Sequence, residues 1–346
     1  MDVSEKKITI YTLPEGAENG TIGDIPNRAE AVSVFIKELR RQSHKEITVV
    51  MEAGTHSAWL SKLAHELGCK TYVGHSRKIK AIWGDDRKCD GKDAEMLARL
   101  AKADPKLLSP IRHCSEGART DLVMIKSRDA LVRTRTSLIN HVRGQLRTFG
   151  VKGDDEIGAE SFAKKVKELI PRELKVCLDI IVRTIAEINA KIKVYDRQIE
   201  KLCAKHKETS HMTQIRGVGP LTALTFALVI ENPARFRDGR RVGAYVGLTP
   251  KRDQSGDSDK QCGISGAGNG LLRRYLVQAA HYILGPLGED CDLRRFGQRI
   301  AARGGKGARK KATAAVARKL AGLLRKLWLE KAEYVPLYKE SLKKSA

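Results

Sequence analysis

Apolar and polar positions alternate near the start of the chain. "KKITIYTL" (6–13) has the two-residue period of a strand. "NRAEAVSVFIKELRRQ" (27–42) then repeats apolar residues at helical spacing, with Asn27 placed to cap it. "EITVVMEAG" (46–54) reads as a buried strand ending in a glutamate. "SAWLSKLAHELG" (57–68) reads as a helix closed by Gly68, and "CKTYVG" (69–74) as a further strand. Strands and helices in alternation predict an α/β domain over about 1–110.

The pattern then changes. From about 116 to 150 it is helical and basic, and a glycine-rich, acidic joint follows at 150–160. Beyond it Leu174, Leu178, Ile181, Ile185, Ile188, Ile192, Tyr195, Ile199 and Leu202 recur in alternating steps of four and three. This a/d seam argues for a coiled coil, because the stripe is narrower than the apolar face a globular helix ordinarily buries. The competing reading is one amphipathic helix packed on its own domain. The last part, 209–346, opens with "MTQIRGVGPLTALTFALVI" and ends in a basic amphipathic helix.

Charge sharpens this picture. Lysine and arginine outnumber acids 65 to 41, a formal net charge of +24. From 291 to 346 alone there are 16 basic residues against 4 acids. Such an excess attracts a polyanion, either a phosphate backbone or an anionic membrane surface. Aromatics are 5% of the chain, too few for base stacking to dominate. The longest apolar run, "LTALTFALVI" (221–230), is far short of the roughly 20 residues of a membrane span. No secretory pattern opens the chain, and seven cysteines without a CxxC pair fit reduced thiols in a cytoplasm.

Candidate chemistry starts at "KCDGKDAEMLARL" (88–100), where Asp90 and Asp93 share one face of a helix start. Asp90 as N-cap and Asp93 at N3 would explain both without chemistry. The other reading is metal binding. Glu52 ends a strand, where α/β sheets build their sites, and Asp2 precedes the first strand-like segment. Four carboxylates from separate segments could hold one or two Mg²⁺ ions for phosphoryl transfer. Ser255, in a polar loop after Lys251 and Arg252, could be a nucleophile or a turn former. In "IRGVGPLTAL" (215–224), Gly217 and Gly219 form a turn able to aim backbone N–H groups at a phosphate. Arg273, Arg274, Arg309, Lys310 and Lys311 complete the expected nucleic-acid contacts. No phosphate-loop motif and no zinc spacing is present.

These segments, taken in order, resemble the IS110/IS1111 transposases, the DEDD recombinases of bacterial insertion sequences. "DVSEKKITIYTL", "VVMEAGTHSAWLSKLAHELG" and "KCDGKDAEMLARL" resemble its three acidic motifs, with Cys89 where threonine is usual. "IRGVGPLTA", "AYVGLTPKRDQSG", "GISGAGNGLLRRYLVQAA" and "KKATAAVARKLAGLL" resemble successive blocks of its C-terminal domain. The resemblance implies an RNase H/RuvC-like domain over 1–115 whose metal-holding acids are Asp2, Glu52, Asp90 and Asp93. It implies a helical, coiled-coil connector over 116–208. It also implies a mainly α-helical transposase domain over 209–346 with Ser255 as nucleophile.

The implied activity is cutting and rejoining DNA at element ends, with Mg²⁺ as cofactor. The implied partners are DNA, an element-encoded guide RNA in some members, and further copies of the chain in a dimer or tetramer. The implied location is the bacterial cytoplasm, at the nucleoid. Family members carry several apolar residues before the aspartate matching Asp2, whereas here only Met1 precedes it. The expectation is a missing first strand that leaves its neighbours unpaired, through a start codon further upstream or decay of the element. The rival functions are a RuvC-like junction nuclease that uses water as nucleophile and a truncated, non-catalytic DNA-binding remnant.

Overall fold

The computed structural model describes residues 1–346 apart from 44, 83–88, 153–155, 256–257, 339 and 341–346. Of residues 81, 253, 255 and 258–261 it describes the backbone alone. The chain forms two compact units, Met1–His113 and Cys114–Ala346.

The first unit contains β1 (Asp2–Val3), β2 (Lys7–Thr12), β3 (Thr21–Pro26), α1 (Ala29–Gln42) and β4 (Thr48–Glu52). It continues with α2 (Ser57–Glu66), β5 (Lys70–Gly74), α3 (Ser76–Ile82) and α4 (Asp90–Ala103). β1, β2 and β3 are antiparallel neighbours, and β4 and β5 run parallel. The Met1 α-amine donates to the Val50 carbonyl at 2.8 Å, so β1 lies between β2 and β4. The lateral order is therefore β3-β2-β1-β4-β5. β1 spans only two residues, and its link to β4 is carried by the Met1 amine.

Two-residue periodicity decides what each face of these strands buries. Ile8, Ile10, Val49 and Met51 pack with Val32 and Ile36 of α1 and Leu60 and Ala64 of α2. On the opposite parity, Val50 packs with Leu97 and Leu100 of α4. Helices thus cover both faces, as an α/β pattern requires. β3, "TIGDIP", is largely exposed and lacks an apolar face, so only its pairing with β2 makes it a strand.

The second unit is mostly helical. It contains α5 (Glu116–Thr148), α6 (Phe162–Lys165), α7 (Arg172–Lys205), α8 (Thr209–Met212), α9 (Pro220–Ile230) and α10 (Gly239–Tyr245). The hairpin β6 (Pro250–Ser255) and β7 (Ser258–Ile264) follows, then α11 (Gly270–Leu284), α12 (Asp292–Ala301) and α13 (Ala308–Glu330).

The seam on α7 is covered within the same chain. Leu178, Val182 and Ile185 pack against Ile139, Val142 and Leu146 of α5, and Arg128 pairs with Asp196 further along. The joint that connects these helices includes residues 153–155, which lie outside the described residues. At the other end of the pair, Ile199 and Cys203 join Leu122 and Ile125 in the main core. That core surrounds α9, where every residue from Thr222 to Ile230 is buried; a helix that is apolar all round belongs at the centre. The backbones of α10 and α13 touch, since a Cβ on Gly239 would sit 2.8 Å from the Gly322 Cα.

Candidate functional site

β1 sets the first acid. Met1 and Val3 turn toward the α1/α2 core, so Asp2 between them faces the α4 side. Asp2 stands directly opposite Thr9 on β2, and Thr9 directly opposite Asp24 on β3. The three form a polar row across one sheet face. Glu52 shares the parity of Val50, two residues earlier, and closes β4 on that same face.

Helix α4 brings the other two acids. Its buried stripe is Ala94, Leu97 and Leu100. Extended toward the N-terminus at helical spacing, this stripe runs through Asp93 and Asp90. Both acids are half-buried, and the positive end of the helix dipole favours carboxylates there. The cap falls one residue earlier than the sequence predicted: the N-cap is Cys89, and Asp90 is the first helical residue, so both acids lie in the first turn, where the helix dipole favours them. The described residues include no set of three acid, histidine or cysteine side chains gathered closely enough to hold a metal ion. Strand parity and the helix stripe nevertheless direct all four acids toward one face.

Lys7 enters this face. The Lys7 Nζ lies 3.0 Å from Asp24 Oδ2 and 3.6 Å from Asp90 Oδ2. Asp24 also accepts a 2.6 Å hydrogen bond from Thr9 Oγ1. The Thr9 bond, followed by the one from Lys7, holds the Asp24 carboxyl below the ordinary aspartate range. The bond to Asp24 raises the Lys7 ammonium above the ordinary lysine range. Lys7, Thr9 and Asp24 were not singled out from the sequence. The signal was present, since Lys7 and Thr9 occupy the polar parity of "KITIYT".

In the second unit Ser255 is the last residue of β6, with its backbone opposite Ser258. It therefore ends a strand of a hairpin, where the sequence predicted a loop; its side chain lies outside the described residues. The hairpin base is fixed by backbone contacts. Ser265 N donates to Thr249 O at 2.8 Å, and Gly266 N to Gly247 O at 3.1 Å. Gly268, at φ +78°, lies so close to Tyr245 that a Cβ would sit 1.9 Å from its carbonyl oxygen. Arg273 braces the same loops by donating to the carbonyls of Val246 and Ala267 at 2.9 and 3.0 Å. These bonds explain why "AYVGLTP" and "GISGAGNG" accompany the serine. Lys251 and Arg252 lie on β6 and are exposed.

The remaining expected phosphate contacts divide into two groups. Arg274 forms a two-pronged ion pair with Asp129, which is buried in α5, and Arg133 approaches that same carboxylate. The Arg274 guanidinium thus has a buried carboxylate partner, while 43% of its side chain stays exposed. Gly217 takes φ +94° at a turn where a side chain would strike Tyr282. Gly219 precedes α9 without a side-chain cap, but Pro220 at the first helical position has no N–H, and the Thr222 and Ala223 N–H groups both donate to the Gly219 carbonyl at 3.0 Å. Arg309, Lys310 and Lys311 are exposed in the first turn of α13.

Comparison with known proteins matches both units. Residues 1–150 match the DEDD transposase model of IS110 elements, and residues 209–286 match the transposase IS116/IS110/IS902 family. The chain belongs to the IS110/IS1111 family of transposases. It is 28% identical over 243 residues to the "Probable family 20 transposase" of Pseudomonas aeruginosa, covering 68% of this chain and 71% of that protein. It is 27% identical over 245 residues to the transposase for insertion sequence element IS1111A of Coxiella burnetii, covering 68% of this chain and 65% of that protein. The DEDD family match contains Asp2, Glu52, Asp90 and Asp93, and the second match contains Ser255 and its bracing loops. No helix among the described residues is long and apolar enough to cross a membrane.

Proposed function

We propose that the chain is a metal-dependent DNA recombinase that cuts and rejoins strands at the ends of an insertion sequence. Asp2, Glu52, Asp90 and Asp93 would hold the metal, and Ser255 would supply the nucleophile. The observation that carries this reading is the shared orientation of the acids. Asp2 and Glu52 come from strands on either side of the Met1–Val50 bond, and the α4 stripe packed on that face ends in Asp93 and Asp90. The order β3-β2-β1-β4-β5, with three antiparallel strands followed by a parallel pair, supports an RNase H/RuvC-like fold for the first unit.

The donor chemistry fits a hard divalent cation such as Mg²⁺, because all four side chains offer carboxylate oxygens. When bound, the metal supplies Lewis-acid stabilisation of a reacting phosphate. In this reading the four acids position that charge, and Lys7 balances the excess negative charge beside them. The Ser255 oxygen forms a bond to a backbone phosphorus as the bond to one sugar oxygen breaks, and the serine proton passes to that departing oxygen, which leaves as a free hydroxyl. The phosphate is kept as a serine ester, so reversal by another sugar hydroxyl can rejoin the strand. Exposed Arg309, Lys310 and Lys311 would contact the DNA backbone. An element-encoded guide RNA and a homo-oligomer rest on the family resemblance alone.

The test uses DNA carrying the element's own ends, incubated with the full chain and Mg²⁺ and resolved on a denaturing gel. The reading expects a covalent protein–DNA adduct with the wild-type chain and none with Ser255→Ala. Strand cleavage without an adduct would instead identify a nuclease that uses water.

A further inference from the structure

Lys7 stands where the proposed metal-holding face and its surrounding sheet meet. The strand register fixes its backbone on β2, two residues from Thr9 on the same face. Its ammonium lies 3.0 Å from Asp24 and 3.6 Å from Asp90, so it bridges one acid outside the expected metal-holding set and one within it. Asp24 is itself tied to Thr9 by a 2.6 Å bond. Asp90 is the first residue of α4, directly after the N-cap Cys89. The ion pair across from β2 is thus an interaction that orients the Asp90 carboxylate.

A cation that binds the Asp90 Oδ2 atom comes within reach of this ammonium, 3.6 Å away. Two positive charges on one carboxylate repel, and the more mobile one yields. Asp24 provides a place for the lysine to stay when it does, because Asp24 is the closer partner and is fixed in position. We infer that Lys7 is a positioning residue that competes with the divalent metal for Asp90 and is retained by Asp24 when the metal binds. This inference rests on the metal-holding role given above to Asp90. It assigns Lys7 the control of metal affinity, and it assigns Asp24 the control of Lys7.

The competition predicts opposite effects from two neutralising changes. Lys7→Met removes the competitor, so the chain should bind metal about three- to tenfold more tightly. Asp24→Asn frees the ammonium to pair fully with Asp90, so metal binding should weaken by a similar factor. Lys7→Arg keeps the charge and should stay close to wild type. A lysine that only supported the fold would not tighten metal binding on removal.

The experiment is Mn²⁺ titration of the full-length wild-type chain and each variant by calorimetry, with circular dichroism to monitor folding. Tighter binding by Lys7→Met and weaker binding by Asp24→Asn would support the inference. Unchanged or weaker binding by folded Lys7→Met would overturn it. If Lys7→Met fails to fold, Asp24→Asn decides: weaker binding supports competition, and unchanged binding rejects it. If the wild-type chain binds no Mn²⁺, the metal-holding reading of the acids fails and this inference fails with it. That result differs from wild-type binding that ignores the Lys7 and Asp24 changes.

Discussion

Thr9 and Asp24 face each other across β2 and β3, joined by a 2.6 Å bond from the threonine hydroxyl to the carboxylate. Asp2 lies opposite Thr9 on its other side, so one buried threonine stands between Asp2, the first of the acids proposed to hold the metal, and Asp24, an acid outside that set. Thr9→Val should remove the main influence that lowers the Asp24 titration midpoint. That midpoint should rise toward the ordinary aspartate range in an NMR pH titration, while Lys7 keeps it from returning fully. An unchanged midpoint would show that the Thr9 bond does not set the Asp24 carboxyl.

The Met1 amine makes stability pH-dependent. Burial lowers it from 8.0 to about 5, against the opposing attraction of Asp2. Between those values the unfolded chain holds a proton that the folded chain lacks, so stability rises with pH across this window. Below about pH 5 the amine is protonated in both states and the penalty is complete; above about pH 8 it is neutral in both. The total is roughly 4 kcal/mol for a shift of this size. Urea unfolding from pH 5 to 8 should show this rise, and a chain acetylated at Met1 should lose it.

Ile185 tests the pairing of α5 and α7. It is completely buried in the same cluster as Ile139, Val142 and Leu146. Ile185→Asp would place an unpaired carboxylate there and should cost about 3 kcal/mol or more in denaturant unfolding. A loss under about 0.5 kcal/mol, typical of surface positions, would contradict this packing.

The parts of the fold legible in the sequence are those that bury a regular apolar pattern. β2, β4 and the α7 stripe belong to this class. The partner of α7 was less legible, because the α5 stripe is interrupted by Asp129, a buried acid that becomes tolerable only through Arg274, distant in sequence. The β6–β7 hairpin was not legible either. "PKRDQS" and "SDKQCGI" lack apolar alternation, so cross-strand pairing alone makes them strands, and Ser255 read as a loop residue. The four acids were found through family motifs, and their common face became visible only from strand parity and the α4 stripe. Lys7 and Asp24 escaped notice because their significance lies in a cross-strand register, which local composition does not specify.

The basic start of α13 offers an electrostatic test. Arg309, Lys310 and Lys311 are exposed, so changing all three to alanine should leave the fold intact. If each meets a DNA phosphate, the slope of log affinity against log salt should become shallower by about 2 to 3. Filter binding across a salt series measures this slope directly. An unchanged slope would remove these residues from the DNA contact surface.

The most direct measurement is Mg²⁺-dependent strand cleavage of element-end DNA by Asp93→Asn, with thermal unfolding followed on the same sample. Asparagine keeps the shape of the side chain and removes the negative oxygen that a divalent cation requires. If Asp93 is one of four acids acting together, cleavage should fall about a hundredfold or more while the unfolding midpoint stays close to wild type. Near-normal cleavage by the folded variant would contradict the account, because Asp93 would then be no more than a favourable charge at the start of α4.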